Sequence, residues 1–594
     1  MSHFPLRLIV FWLAAGAFVD ANSAVGNDGV VARLLPETTV GFLEVSEPSV
    51  VMARILDHPL STRIQAMDVF TKATQSKEYR SFLTGRKLFE LQIGMDWRPA
   101  IEALTAGGIY AAADGVTEGL VLLVRAQDEA VMENFRVKIL ELTRLNGEQK
   151  KPDDYRGLSI YKLDKGGAAV VRDWLVVTNN ADLGKGVLDR LLDAQGNSDD
   201  AEEPVEKADP AGVVGTLSAN AEFQRATQMR DPQSQVWAFA NLKSLRDAGK
   251  AKKIFEGKAE NPLAELLAGG IQSTLQQAIC VSSNLTLTDD SVQLRLSTPW
   301  QADWIPEERT YFFGPDGNGK APSLPVVPET LLTLATYRNV SEMWLRAGDL
   351  FDEQINDKLA EADSGLSTVF AGRDFGEEIL GSFEPQIGIV VARQDFTAVS
   401  PVPAIRLPAF ALVMTLREPE VMRSELRRTF QSAIGFFNIV GAQNGNPQLE
   451  MDMQKSGDVD LITSRYLPLK KDQDSTSAPI IYNFSPSAGF SGSRFVLSST
   501  ASLAQQLAAA PVAQSDAEVN THLMLDAGVL TKTLDDNREQ LISQNMMTEG
   551  RSREESEASI DLLLEFIRNV KDAGLTLDQK DEQLNLQLRI TVNP

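Results

Sequence analysis

The chain has 594 residues, with 57 Lys+Arg against 81 Asp+Glu for a net charge of −24, and 43% of it is hydrophobic. That apolar share excludes intrinsic disorder for the chain as a whole, and the acidic balance excludes the basic footprint that nucleic acids require. One Cys excludes an internal disulfide framework and a thiolate-rich metal site, and three His leave little for imidazole chemistry.

The first 24 residues read as a secretory signal peptide. Arg7 supplies the positive region, 8–18 an apolar stretch, and Ala21-Asn22-Ser23-Ala24 a small-residue cleavage zone. That apolar stretch is too short to span a bilayer, which takes about 20 helical residues. The single Cys, Cys280, lies too far away to carry a lipid there. No later apolar run approaches spanning length, so the expected product is an exported chain, periplasmic or extracellular, with no transmembrane segment after cleavage.

Strands are predicted over 39–45, 108–113 and 119–125, followed by a helix over 128–145 with Val131, Phe135, Ile139 and Leu142 near a 3.6-residue period. Asn146-Gly147 stops that helix. Strands over 158–163 and 169–178 precede a helix over 181–193 and an acidic insertion at 196–210. Ser218 or Asn220 is positioned to cap a helix running to Met229. Strands at 235–241, 284–288 and 292–298 follow, the last two joined by Asp289-Asp290, as in an antiparallel hairpin. Eight Pro and Gly residues crowd the connector at 301–327 and its border, with Trp300, Trp304, Tyr311, Phe312 and Phe313 among them; packing is the expected role of these aromatics. A last helix over 553–573 carries Ile560, Leu563, Leu564, Ile567 and Val570 on one stripe, with Gly574 as its stop.

Several features recur along the chain. Pro36-Glu37-Thr38 and Pro328-Glu329-Thr330 each open a strand-like run. The run 120–124 precedes Val131-Met132 as 410–414 precedes Val421-Met422, at an offset of 290. Leu285-Thr286-Leu287 and Leu575-Thr576-Leu577 repeat that offset. The expected fold is therefore α+β and a tandem duplication, each copy a mainly antiparallel sheet with helices packed on one face. The expected domains are 1–24 signal peptide, 25–300 first repeat, 301–327 connector and 328–594 second repeat.

Motifs for chemistry are sparse. Gly314 to Lys320 fits G-x-x-x-x-G-K, but Ala321 lacks the Mg²⁺-binding hydroxyl and Pro322 and Pro325 stop a following helix. Asp316-Gly-Asn318-Gly echoes part of a calcium loop, yet Lys320 takes a ligand position. Asp458-Val-Asp460 and Asp199-Asp200 read as solvated acidic turns. Gly489-Phe-Ser491-Gly-Ser493 lacks the final Gly of a nucleophile elbow. His58 and His522 have no zinc-site spacing, and Cys280 sits in an apolar run that suits a buried thiol. No catalytic, cofactor-binding or metal-binding residue is assigned, and no cofactor is expected.

Asp154-Tyr155-Arg156-Gly157-Leu158-Ser159-Ile160-Tyr161, followed by the strand-like 169–179, resembles a succession seen in large exported proteins of planctomycetes and related bacteria, grouped under domains of unknown function. The second half departs from it, with Tyr466-Leu467-Pro468 in place of the Tyr-x-Gly element. The resemblance implies export and an α+β fold and carries over no functional residue. The function expected from these features is a non-enzymatic binding or structural protein of the cell envelope or extracellular space, with a protein or envelope component as partner. A secreted hydrolase with a carboxylate- or Ser-based site between the repeats, or an apolar-ligand carrier, is the alternative.

Overall fold

The computed structural model describes residues 28–593 apart from 59–60, 62–64, 66–73, 75–76, 141–152, 164, 197–214, 257–258, 260, 371, 398, 400, 471–477 and 513–517. The expected signal peptide, the acidic insertion beyond Gly196 and the end of the helix expected at 128–145 lie outside the described residues. The chain is mixed α+β and divides into two compact units. The first takes residues up to Lys252 and Ala278–Pro299; the second takes Lys253–Gln277 and Trp300–Asn593.

The first unit contributes β1 (Thr39–Val45), β2 (Ile109–Asp114), β3 (Leu120–Arg125), β4 (Asp153–Tyr155), β5 (Leu158–Leu163), β6 (Gly166–Val171), β7 (Trp174–Thr178), β8 (Val236–Asn241), β9 (Cys280–Leu287) and β10 (Ser291–Pro299). All pairings are antiparallel, in the order β5-β6-β7-β3-β2-β1-β8-β9-β10. The strand expected over 169–178 is two strands, because Arg172 adopts φ 51° and turns the chain at Arg172-Asp173.

Helices cover both faces of this sheet, not one. Phe42, Tyr110, Leu123, Trp174 and Val176 point into one core with Leu183, Val187 and Phe223. Val45, Ile109, Val124 and Leu175 point into another with Val51, Leu104, Met132 and Phe135. The uninterrupted Val121-Leu122-Leu123-Val124 is what a doubly covered strand requires, since successive side chains leave opposite faces. The helix after β3 runs Glu129–Phe135, capped by Asp128 Oδ1 accepting from the Val131 N–H (2.9 Å), and widens into a π turn over Arg136–Leu140. Asn220 caps Ala221–Gln228.

The second unit contributes β11 (Thr330–Tyr337), β12 (Gln386–Ala392), β13 (Ala409–Thr415), β14 (Leu449–Ser456), β15 (Val459–Tyr466), β16 (Ser487–Ser491), β17 (Arg494–Ser498), β18 (Thr521–Asp526), β19 (Val570–Lys580) and β20 (Gln583–Val592). They pair antiparallel as β14-β15-β16-β17-β13-β12-β11-β18-β19-β20. Here too helices cover both faces of the sheet. Val390, Ala411 and Val496 meet Leu503 and Leu507, whereas Ile462, Phe490 and Phe495 meet Met422 and Leu426.

The last helix ends at Arg568, earlier than periodicity suggests, and Val570 opens β19. Asn569 Nδ2 donates to Glu565 O (2.6 Å) and Asn593 Nδ2 to Arg568 O (2.7 Å), which closes the helix. Gly574 is therefore a strand residue, opposite Met524. Two-sided pairing with β18 and β20 outweighs the helical pattern of 570–573.

The connector aromatics fill a third core of the second unit: Tyr311, Phe312 and Phe313 are fully buried with Leu350, Phe351, Leu577 and Leu584. Helix Pro262–Gln277 locks onto them. The guanidinium of Arg309 donates to both Glu265 oxygens (2.7 and 3.0 Å), and the Tyr311 hydroxyl donates to Glu265 Oε1 (3.0 Å). Gly269 and Gly270 permit the approach; a Cβ on Gly270 would lie 2.5 Å from Phe312 Cδ1. Arg338 donates to the carbonyls of Leu266 (2.7 Å) and Phe312 (3.1 Å) and lies 3.4 Å over the Phe312 ring. Burial pulls its pKa down to about 9, still above neutrality, so the cation persists.

Candidate binding surface

The residues that sequence motifs brought forward are dispersed and structurally occupied. Gly314 (φ 74°) ends the turn Thr310–Phe313, the Gly319 N–H donates to Phe313 O (2.7 Å), and no α-helix follows Lys320, so the loop lacks the helix that a phosphate-binding loop leads into. Asp460 has Lys455 Nζ at 3.5 Å, Arg423 Nη1 at 3.9 Å and Arg427 Nη2 at 4.0 Å, which satisfies its charge without a metal. Asp458 is on the hairpin turn before β15, and Asp199-Asp200 lie outside the described residues. Ser491 and Ser493 flank the tight β16–β17 turn at Gly492 (φ 54°). His58 Nε2 is 3.3 Å from Asp289 O. His522 lies in β18 between Ala335 and Thr576, where burial lowers its pKa. Burial pushes the Cys280 thiol up to about 12. Among the described residues, no group of three or more His, Cys, Asp or Glu is placed to hold a metal ion.

Two other features stand out in the second unit. One is a cavity of about 340 Å³ lined by Trp300, Asp303, Ile305, Phe313 and Asp316, with the indole N–H of Trp300 buried and unpartnered. The other is larger and starts from the helix Pro419–Gln443. Pro419 at its first turn suits helix initiation. Met422, Leu426, Phe430 and Ile434, four residues apart, form its inward stripe, and the first three pack with Ile462, Phe490 and Phe495.

Beyond Ile434 the helix continues for nine residues, none of them buried. The apolar stripe continues as well, three residues at a time, through Phe437 and Val440, while Phe436 and Ile439 add a second row. Phe436, Phe437 and Ile439 are 61%, 53% and 64% exposed. The side chain of Asn438 clamps this end: its Nδ2 donates to Leu449 O (2.9 Å) and its Oδ1 accepts from the Leu449 N–H (2.7 Å). Gly445 (φ 69°) then reverses the chain. β14, paired among the described residues only with β15, adds exposed Met451 and Met453, and Gln431 Nε2 donates to Met453 Sδ (3.5 Å).

Charge is absent from the helix end itself, whereas β14 carries exposed Glu450 and Asp452 on either side of Met451. Residues 429–449 contain no Asp, Glu, Lys or Arg, whereas the chain's 23% charged content would place about five in 21 positions. The arginines at the base of the helix are engaged: Arg423 and Arg427 face Asp460, and Arg428 pairs with Glu425 (3.2 Å). This surface did not emerge from sequence motifs. Its signal is the coincidence of a charge-free run with Phe436-Phe437 and Ile439-Val440, which periodicity by itself assigns to a core.

No family model and no curated protein matches the chain. Among solved structures, three crystal forms of TP0453 are similar to parts of it. Form I is 13% identical over 47% of this chain and 79% of that one, with a TM-score of 0.22. Form III is 9% identical over 45% and 78% (TM-score 0.20), and form IV 11% over 45% and 80% (TM-score 0.22).

Proposed function

We propose that the protein is an exported, non-enzymatic binding protein of the cell envelope or extracellular space, and that it acts through the exposed apolar end of helix Pro419–Gln443. One observation carries this reading: large exposed apolar side chains gathered on a helix end, within the charge-free stretch 429–449, of an otherwise strongly acidic chain. Contiguous exposed apolar patches of this kind mark interaction surfaces. Export rests on the pattern of residues 1–24.

A tandem duplication fits the same reading, because a second copy is free to elaborate a surface that the first does not need. Its support is positional. The two strand orders run in parallel, β1 and β11 both shift register after their first residue, and Thr39 and Thr330 each donate to the carbonyl three residues back (2.7 Å in both). Asn241 and Asp526, the last residues of β8 and β18, each cap the helix that follows.

The test is co-purification of the tagged chain from envelope and medium fractions, wild type beside Phe436→Asp/Ile439→Asp, with proteins and small molecules identified by mass spectrometry. A component retained by wild type and lost in the variant supports the reading. Identical profiles, or a chain found in the cytoplasm with residues 1–24 intact, refute it.

A further inference from the structure

We infer that the cavity walled by residues 300–317 is a binding site for a small organic ammonium compound that also carries a hydroxyl or carbonyl oxygen, an amino alcohol or amino sugar by class. The site lies within the second unit and is independent of the apolar surface at the end of helix Pro419–Gln443.

The fold holds the walls in place. One short stretch of chain supplies every residue that lines the cavity. The backbone N–H of Trp300 donates to Glu582 O (2.9 Å) in the turn between β19 and β20, and its indole meets the buried ring of Phe313 edge-to-face, with centroids 5.8 Å apart. Gly314 (φ 74°), Asp316 (φ 54°) and Gly317 (φ 75°) coil the chain tightly through left-handed conformations, which Asp tolerates better than most side chains. A Cβ on Gly317 would overlap the Trp300 ring, so the coil sits directly against the indole.

Three properties select the ligand. The first is size. About 340 Å³ is room for about ten waters at roughly 30 Å³ each, which suits a molecule no larger than a monosaccharide. The second is charge. Asp303 and Asp316 both line the cavity, and among the described residues neither makes a hydrogen bond or an ion pair. The basic groups along the same stretch are taken: Arg309 pairs with Glu265, Arg346 with Glu307 and Lys320 with Glu518. An anion would meet two carboxylates and no free cation; an ammonium group answers both.

The third is the indole donor. Trp300 is 9% exposed, and its Nε1–H is buried with no acceptor. Two acidic turns alone would be solvated surface, but a buried donor in the wall gains from an occupant that brings an oxygen to it. A bare metal ion brings none, and no group of three or more His, Cys, Asp or Glu among the described residues is placed to hold one. Ile305 and Phe313 supply apolar wall for the carbon skeleton.

The experiment titrates the full chain, with ¹⁵N in its tryptophan indoles, with glucosamine and with ethanolamine. N-acetylglucosamine, which keeps the oxygens and lacks the charge, is the control. The Trp300 indole signal is identified by its loss in Trp300→Phe. Expected is a saturable shift of that signal with at least one of the two amines. Affinity should fall tenfold or more in Asp303→Asn/Asp316→Asn and by a similar factor for N-acetylglucosamine, because charge-assisted hydrogen bonds are lost in both cases. Both Asp residues are exposed, so the variant should fold as wild type does, which circular dichroism checks.

No saturable shift with either amine overturns the inference, as does a shift of equal affinity in the double Asn variant. Equal binding of N-acetylglucosamine overturns it too, because the site then reads hydroxyls and not charge. Calcium chloride that moves the same signal at lower concentration than the amines assigns the site to a metal ion instead. Phe436→Asp/Ile439→Asp should bind the amine as wild type does; loss there would place the binding elsewhere and overturn the site.

Discussion

Removing one partner of the Glu265–Arg309 pair should unlatch helix Pro262–Gln277 from the aromatic core. Glu265 is fully buried and Arg309 nearly so, and the pair is bidentate at 2.7 and 3.0 Å. In Glu265→Leu the guanidinium keeps only Ser273 Oγ (3.0 Å) and Gln272 Oε1 (3.4 Å), and the Tyr311 hydroxyl keeps only the backbone carbonyl of residue 265 (2.8 Å). An uncompensated buried charge of this kind costs about 3–5 kcal/mol, a large part of the roughly 5–15 kcal/mol that holds a domain folded. Arg309→Met should cost a similar amount, because it strands the carboxylate. The double variant Glu265→Leu/Arg309→Met removes both charges at similar volume and should recover most of the loss, a coupling of roughly 3 kcal/mol or more. Two compact units invite separate unfolding, so the readout is hydrogen exchange of peptides from 262–277 and 570–592 across a urea series. Single variants within about 1 kcal/mol of wild type, or a double variant as unstable as the two singles combined, would refute the latch.

The packing makes four further predictions. Phe490→Ala should cost about 3–5 kcal/mol, whereas Phe436→Asp should stay within about 0.5 kcal/mol of wild type, both read by urea unfolding, because only the first empties a core. Gly270→Ala should destabilise by about 1–3 kcal/mol through its clash with Phe312, while Gly435→Ala, with nothing within 4 Å, should stabilise by about 0.5–1 kcal/mol. Burial raises the Asp114 carboxyl's pKa, but hydrogen bonds from the Thr117 and Thr38 hydroxyls and from the Thr117 N–H outweigh it and hold the group below its usual value. The native state thus binds fewer protons there, so this stability is present above about pH 4 and is lost as pH falls below it; a pH–stability profile of Asp114→Asn should lack that segment. Finally, Cys280 should resist a thiol reagent at mildly alkaline pH in the native protein and react on unfolding; labelling at equal rates in both states would contradict its burial.

Much of the secondary structure is local information. β1, β3 and β5 lie within a residue of the runs that predict them, because uninterrupted or alternating apolar residues leave a strand as the economical way to leave water. Asn220 caps its helix because the geometry of a cap involves only three residues. Where a neighbour decides, the same signals mislead. Val570 continues the helical stripe, yet β18 and β20 offer both their edges to the chain beyond it, and the helix ends at Arg568. Both sheets are covered twice because one strand's pattern does not say what lies across from each face.

The candidate surface shows this most directly. In sequence, Ile434, Phe437 and Val440 continue one stripe and are equivalent. In the folded unit, Ile434 is buried at 1% exposure and Phe437 is 53% exposed. Hydrophobicity is a property of a residue and is fixed by the chain alone. Burial is a relation between that residue and whatever stands opposite, and only the tertiary structure supplies or withholds the partner.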